Sequence, residues 1–173
     1  MNVRRLEDQA DVRGLIRVHG LAWREAYDGL LPDEILQQQS VDPSDEEVQY
    51  WFERLRENRD GVLVATDTDE TVRGFADFRW EEDETKESVG RGEAELKAIY
   101  VEPDCWGRGL GTALLERGLE LLPDGVNTLY LEMLSGNETG RRFYEARGFD
   151  RTGAGKHEIG EKSYPTGIYT LRC

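Results

Sequence analysis

Three glycines at alternate positions, Gly107, Gly109 and Gly111, form a turn between an apolar run and a helical pattern. Glycine has no side chain to separate a ligand from the backbone N–H groups. Leucine and alanine recur at helical spacing over 110–122, so the turn leads directly into a helix. The unpaired N–H groups and the positive dipole end of a helix N-terminus attract anions. The turn therefore predicts a binding site for a phosphate or pyrophosphate group.

Two common phosphate-binding patterns do not fit this turn. A P-loop carries Lys followed by Ser or Thr after its last glycine, whereas Thr112 and Ala113 follow Gly111 here. A dinucleotide-binding turn needs a third glycine three residues after Gly109, and Thr112 occupies that position. The turn therefore belongs to another class of phosphate site.

The elements that must position this turn can be inferred from the apolar periodicity. A strand-like apolar run over 96–101 precedes the turn, and the helix follows it. Around them the pattern predicts, in chain order, one strand, two or three helices, three strands, a helix, a strand, a helix and two strands. Asp8, Ser44 and Asn137 stand at predicted helix starts, where their side chains can accept backbone N–H groups. This order predicts a mixed α/β sheet in one domain over residues 1–173, with an exposed loop over 81–92.

The composition limits the partners of the chain. It has 36 acidic and 22 basic residues and a formal net charge of −14, and lysine is scarce beside arginine. This acidic balance argues against nonspecific binding of nucleic acid. A surplus of carboxylates with few lysines also resembles the surface of proteins from salt-loving organisms, where high ionic strength screens the repulsion. We therefore expect a halophilic protein.

The cysteines and the apolar runs indicate the compartment. Cys105 and Cys173 are too few for a disulfide framework and indicate free thiols in a reducing cytosol. The first residues are charged rather than those of a signal peptide, and no apolar run approaches the roughly 20 residues of a membrane span. We expect a cytoplasmic protein that does not bind membranes. No His, Cys and carboxylate cluster has metal-ligand spacing, so we expect no metal.

A second motif, NETGRRFYEARGF, occupies residues 137–149. Together with LKAIYVEP at 96–103 and WGRGLG at 106–111, it resembles the two signatures of the GNAT N-acetyltransferase superfamily. These signatures are Gln/Arg-x-x-Gly-x-Gly/Ala and Asn-x-x-Ala-x-x-Phe/Leu-Tyr-Glu-x-x-Gly-Phe, and they occur here in the family's order and separation. Trp106 stands where the family has Gln or Arg, and Gly140 stands where it has Ala. The resemblance covers nearly the whole chain.

The resemblance implies the GNAT fold, a mixed and mostly antiparallel twisted sheet flanked by helices, with acetyl-CoA as co-substrate. The residues that match the pyrophosphate arm of the cofactor are Gly107, Arg108, Gly109, Leu110, Gly111 and Thr112. Ile99, Tyr100 and Val101 match the strand edge that pairs with pantetheine, and the Ile99 amide matches the oxyanion donor. Asn137 matches a residue that holds pantetheine, with a purely capping role as the alternative.

The resemblance also implies which side chains do the chemistry. Transfer of an acetyl group to an amine needs a neutral amine, a donor to the oxyanion and a proton for the leaving thiolate. Tyr144 matches the general acid near the CoA sulfur, and a core tyrosine is the alternative. Glu95 matches the general base of the histone-acetylating branch, with Glu93 on the same strand face and water-mediated deprotonation as alternatives.

The acceptor side is the least diagnostic part of the chain. Residues 22–36, which include Trp23 and Tyr27, resemble the first-helix region that helps wall the acceptor site of GNAT enzymes, although aromatic residues that only pack would give the same pattern. His19 shares a helix face with Trp23 and is interpreted as a partly buried helix histidine rather than a catalyst. The resemblance implies direct attack in a ternary complex by a small-molecule amine or a peptide or protein amine. Dimers are common in this fold. A non-catalytic acyl-CoA sensor of the same fold and an unrelated nucleotide binder are the alternative functions.

Overall fold

A seven-stranded sheet organises the residues that this computed structural model describes, 1–80 and 92–173. Its strands are β1 (Asn2–Arg5), β2 (Val62–Thr66), β3 (Val72–Arg79), β4 (Glu93–Val101), β5 (Thr128–Leu134), β6 (Asp150–Ile159) and β7 (Lys162–Arg172). They lie in the order β1-β2-β3-β4-β5-β7-β6. Neighbouring strands pair antiparallel except β4 and β5, which are parallel. The prediction of a mixed, mostly antiparallel sheet is therefore confirmed.

Helices cover both faces of this sheet. They are α1 (Gln9–Ala26), α2 (Asp33–Gln37), α3 (Asp45–Leu55), α4 (Leu110–Leu121) and α5 (Glu138–Ala146). Apolar residues of α1 and α3 pack with Val62 and Val64 on one face, whereas α4 and α5 pack with Leu63 and Ala65 on the other. Every residue of β2 is buried, because both of its faces are covered.

Side-chain caps set the helix starts that the sequence predicts. Asp8 accepts the N–H of Asp11 at 3.0 Å to begin α1, and Ser44 accepts the N–H of Glu47 at 3.2 Å to begin α3. The helix expected to end near Gln39 is shorter and ends at Gln37. The loop expected over 81–92 lies outside the described residues apart from its last position. No helix within the described ranges has the length and apolarity to cross a membrane.

A bulge in β4 decides which of its side chains face α1. Asp77 of β3 pairs with Ala98 and Phe78 pairs with Leu96, so Lys97 is the extra residue in β4. Ala98 then packs on the side of α1, as part of the cluster that contains Phe75. The bulge thus changes the face of the sheet to which the second half of β4 contributes.

The parallel ladder between β4 and β5 is short. Glu93, Ala94 and Glu95 pair with residues 128–130, and no pairing of β4 with β5 is present beyond Glu95 in the described part of the sheet. Both strands continue past this point, to Val101 and Leu134. The two strands therefore diverge in the middle of the sheet.

Candidate functional site

The divergence of β4 from β5 opens a cavity of about 310 Å³, which we call the glycine cavity. Its lining combines the end of β4, the glycine turn, the start of α4 and the inner side of α5. Of the residues that the sequence predicts to bind the cofactor, it contains Ile99, Tyr100, Val101, Gly107, Gly109, Leu110, Gly111, Thr112 and Asn137. Tyr144, the predicted general acid, lines the same cavity. The two sequence motifs thus meet in space.

The glycine turn leaves the first N–H groups of α4 accessible for a structural reason. Gly107 and Gly109 have φ angles of 79° and 84°, in the left-handed region that favours glycine. Gly109 is the N-cap of α4 and supplies no side-chain hydrogen bond to the helix start. At Gly111, a Cβ atom would lie 2.9 Å from the ring of Phe143, so α5 packs directly against this turn. The turn is thereby held as a backbone surface that suits an anion.

The end of β4 presents an open backbone edge to the glycine cavity. Glu102 donates its N–H to Arg73 O at 2.8 Å, and Tyr100 pairs with Phe75, so these residues direct their backbone groups toward β3. Because alternate residues of a strand point to opposite neighbours, Ile99 and Val101 direct theirs toward the diverging β5. Such an edge can accept an extended amide-containing ligand as an added strand.

Trp106 and Arg108 occupy different surroundings although both belong to the first motif. Trp106 lines the glycine cavity, and its Nε1–H donates to Val101 O at 2.7 Å. The side chain of Arg108 is exposed and borders a separate depression together with Arg73 and Glu102. Any contact of Arg108 with a ligand in the glycine cavity would therefore come from its backbone.

Arg147 is a cation of the glycine cavity that the sequence analysis missed. Its guanidinium stacks on Phe143, with Cζ 3.8 Å from the ring centroid, and Nη1 donates to Phe143 O at 2.9 Å. Nε donates to Thr112 Oγ1 at 3.0 Å, and Thr112 lies in the first turn of α4. Arg147 thus places a fixed positive charge beside the helix start. Its position two residues before the final Phe149 of the second motif gave no signal for this role.

Tyr144 lies where α5 meets the sheet. Its ring contacts Phe143 and Phe149, with centroids 5.2 and 5.3 Å away. Burial raises the pKa of Tyr144, and the nearby Tyr100 raises that pKa further. The phenol therefore stays protonated at neutral pH and is able to donate a proton.

Asn137 has the capping role that the sequence analysis left as an alternative. Its Oδ1 accepts the N–H of Gly140 at 3.0 Å at the start of α5. Asn137 also lines the glycine cavity, as does Gly140. The cap and a contact with a ligand are compatible, because the amide Nδ2 group is a separate donor.

A second cavity of about 450 Å³, the aromatic cavity, lies on the other side of β4. Rings of α1, β3 and β4 line it, among them His19, Trp23 and Phe75. Glu95, the predicted general base, is buried and lines this cavity rather than the glycine cavity. Glu93 lines neither of them.

The two cavities meet at a set of residues that line both, which we call the junction. These are Tyr27, Lys97, Ala98, Tyr100, Glu132 and Met133. The hydroxyl groups of Tyr27 and Tyr100 form a hydrogen bond at 3.0 Å, and Glu132 accepts a hydrogen bond from Thr166 Oγ1. Glu132 is the second functional candidate that the sequence analysis missed. Its signal was its position among the polar residues that alternate with Leu129, Leu131 and Met133 along β5.

Comparison with known proteins identifies the family of this arrangement. The acetyltransferase (GNAT) family matches residues 13–149, which include both motifs and most of the lining of both cavities. The chain belongs to the GNAT acetyltransferase family. The resemblance of its two motifs to this family is thus confirmed.

Relatives and solved structures agree with this family. The uncharacterized N-acetyltransferase YuaI of Bacillus subtilis is 29% identical over 150 residues, 86% of this chain and 80% of that protein. A mycothiol acetyltransferase of Actinosynnema mirum is 29% identical over 152 residues, 86% of this chain but 44% of that protein. The structure of PaiA N-acetyltransferase from Thermoplasma acidophilum in complex with coenzyme A matches with a TM-score of 0.71 at 22% identity. It covers 99% of this chain and 98% of that one, and it confirms the GNAT fold.

The described residues contain no group of three or more His, Cys, Asp or Glu that could hold a metal ion. The expectation that the GNAT chain works without a metal stays a prediction.

Proposed function

We propose that the chain is an acetyl-CoA-dependent N-acetyltransferase that moves the acetyl group to a primary amine by direct attack in a ternary complex. The observation that carries this proposal is the junction, because two cavities that share Tyr27, Tyr100 and Glu132 can hold donor and acceptor side by side. Direct attack requires this contiguity, since it replaces an acyl-enzyme with simultaneous binding of both substrates.

The glycine cavity is the proposed site of acetyl-CoA. Its pyrophosphate would bind the N–H groups of the first turn of α4, with the positive charge of Arg147 beside them. Pantetheine would pair with the C=O of Ile99 and the N–H of Val101, which brings the thioester toward the junction. The matching fold of PaiA, whose structure contains coenzyme A, supports this placement.

The proposed reaction moves one acetyl group and one net proton. The neutral amine nitrogen attacks the thioester carbonyl carbon, and the backbone N–H of Ile99 donates to the oxyanion that develops. The C–N bond forms, the C–S bond breaks, and the electron pair of that bond leaves on sulfur. Tyr144 donates its proton to the thiolate, the nitrogen releases its extra proton to solvent as the amide forms, and solvent returns a proton to Tyr144. The products are an acetamide and free CoA.

A carboxylate at the junction would remove a proton from the ammonium group of the acceptor, and the neutral amine that results attacks the thioester. Glu95 is the base that the family resemblance implies, and it lies in the aromatic cavity. Glu132 borders both cavities, and this position favours it as the group that takes the proton where the substrates meet. We therefore propose Glu132 as the direct base, with Glu95 acting through water.

Thiol release from acetyl-CoA across a panel of primary amines tests the enzyme function, and the melting temperature with acetyl-CoA tests binding. We expect release of CoA with at least one amine. A rise in melting temperature with acetyl-CoA and no turnover with any amine would instead establish the non-catalytic sensor.

As part of this proposal, the acidic, lysine-poor composition supports a halophilic setting, and the two free cysteines support a cytoplasmic one. The panel is therefore measured in high salt as well as in dilute buffer. We expect turnover to rise with salt, because screening relieves repulsion within a chain of net charge −14. A homodimer stays a prediction that sedimentation in the same buffers will test.

A further inference from the structure

A row of aromatic rings forms one wall of the aromatic cavity. His19, Trp23 and Tyr27 lie on successive turns of α1, and their neighbouring ring centroids are 4.8 and 5.1 Å apart. Tyr100 lies 5.4 Å from His19 and 5.8 Å from Phe75, so rings of β3 and β4 extend the same wall. Tyr27 and Tyr100 belong to the junction, whereas the other rings line the aromatic cavity alone. The wall therefore begins at the junction and leads away from it.

This wall carries no charge at neutral pH. Burial lowers the pKa of His19 to about 4, so its imidazole is neutral. Burial raises the pKa of Tyr27 and that of Tyr100, so both phenols keep their protons. A neutral surface of rings favours a flat apolar group, because offset and edge-to-face contacts between rings add to the burial of apolar area. A second ammonium group placed there would lose its hydration.

The carboxylates of the aromatic cavity are arranged differently from its rings. Asp77 accepts Nε and Nη2 of Arg79, both at 2.9 Å. Glu47 and the buried Glu95 also have partners within the protein. Glu132 lies at the junction, where the amine that receives the acetyl group must be. This arrangement suits one amino group at the junction and an uncharged carbon skeleton along the rings.

From these observations we infer that the acceptor is an arylalkylamine, in which a short carbon chain joins an aromatic ring to a primary amino group. The inference rests on the proposed N-acetyltransferase function and adds the substrate class. The amino group lies at the junction and takes the acetyl group in the step written above. The ring packs against His19, Trp23 and Phe75. The volume of about 450 Å³ lies within the roughly 300–1,000 Å³ of small-molecule sites.

Four acceptors measured at one acetyl-CoA concentration and one pH test this inference. They are 2-phenylethylamine, hexylamine, 1,4-diaminobutane and a short peptide with a free N-terminal alanine. We expect 2-phenylethylamine to have the highest kcat/KM, about tenfold above hexylamine, because only its ring gains the stacking contacts. The diamine and the peptide are expected to be poorer than hexylamine, because each brings additional polar or charged groups to the neutral wall.

Trp23→Leu tests whether the ring wall is the cause of that preference. The variant should bring the ratio of kcat/KM for 2-phenylethylamine to that for hexylamine close to one, with the dissociation constant of acetyl-CoA unchanged. A purely structural role of Trp23 would lower both values of kcat/KM equally and keep their ratio. Tyr50→Leu is the matched control, because Tyr50 is exposed on α3 and lines neither cavity. It should keep the ratio of the parent protein.

The outcomes separate this inference from the proposed function. A higher kcat/KM for the diamine, the peptide or hexylamine, or an unchanged ratio in Trp23→Leu, overturns the arylalkylamine class and leaves the N-acetyltransferase function intact. Absence of turnover with every amine overturns both.

Discussion

The two cavities are built from different parts of the chain. The glycine cavity includes the backbone at the end of β4 and in the turn with Gly107 and Gly109, and the two motifs with the strand before the turn supply most of its lining. The aromatic cavity is formed by side chains that α1, β3, β4, β5 and β7 bring together. A backbone site needs particular turns and therefore leaves motifs, whereas a side-chain site needs only suitable residues at dispersed positions. This difference explains why the sequence motifs predicted the glycine cavity and did not predict the aromatic cavity.

Replacement of Tyr144 is the strongest test of the chemistry assigned to the glycine cavity. Tyr144→Phe should lower kcat by roughly 10³-fold with the acetyl-CoA dissociation constant unchanged, because it removes a proton donor and keeps the ring. Steady-state turnover and calorimetric titration with acetyl-CoA measure the two quantities. Tyr50→Phe, on the exposed side of α3, is the control. Unchanged kcat in Tyr144→Phe would remove Tyr144 from the acid role.

His19 should make the aromatic cavity sensitive to acid. Its pKa is about 4 in the folded protein and about 6.5 in an unfolded chain. The unfolded state therefore binds the proton first as the pH falls. The stabilising contribution of neutral His19 is complete above pH 6.5 and is lost as the pH falls toward 4. The free energy of unfolding should fall by about 3 kcal/mol from this group across that window.

Urea unfolding at pH 7.0, 5.5 and 4.5 measures this loss by comparison of the parent protein with His19→Phe. The variant should lose less stability between pH 7.0 and 4.5. Tyr50→Phe, at an exposed site of α3 that lines neither cavity, should keep the pH dependence of the parent. If the free energy of unfolding depended on pH equally in His19→Phe and the parent, the pKa of His19 would not be lowered by folding.

Replacement of Glu132 and of Glu95 tests which of the two glutamates deprotonates the amine. Glu132→Gln should lower kcat/KM for the amine by roughly 10²-fold, because the proposed base at the junction is lost. Glu95→Gln should lower it less. Turnover of Glu132→Gln should partly recover as the pH approaches the pKa of the amine, since solution then supplies the neutral nucleophile. Glu116→Gln, at an exposed site of α4, is the control. A larger loss in Glu95→Gln would return the base role to Glu95.

Replacement of Arg147 has the smallest expected effect, which is on the affinity of the glycine cavity for acetyl-CoA. Arg147→Gln should raise the dissociation constant of acetyl-CoA about tenfold, because the proposed charge-assisted contact to phosphate is lost. The value of kcat at saturating acetyl-CoA should not change. Arg142→Gln is matched to it, because Arg142 is exposed on α5, five residues before Arg147, and lines neither cavity. Equal affinities in the two variants would place the phosphate away from Arg147.

Local patterns made most of the fold predictable from the sequence. The caps at Asp8, Ser44 and Asn137 are short-range hydrogen bonds, so residue type and spacing were enough to predict them. The glycine turn was predictable for the same reason.

Longer-range positions were not predictable in this way. The role of Arg147 depends on the approach of α5 to the first turn of α4, where it meets Thr112, 35 residues away in sequence. Arg108 was predicted to bind the cofactor because it lies in the glycine motif, which fixes only the backbone of the turn. In the structure, Arg108 borders a different depression. Glu132 becomes a candidate only when β4 and β5 diverge. Tertiary packing decides each of these three positions.

The short parallel ladder also makes the sheet mechanically weak between β4 and β5. Three residue pairs of β4 and β5, from Glu93–Thr128 to Glu95–Tyr130, join β1-β2-β3-β4 to β5-β7-β6 through strand pairing in the described residues. A ligand held by both the β4 edge and α5 would bridge this line and couple the unfolding of the two halves. Hydrogen–deuterium exchange should therefore slow together in β5 and in β4 when acetyl-CoA is added. The co-substrate would then set the cooperativity of the sheet as well as supply the acetyl group.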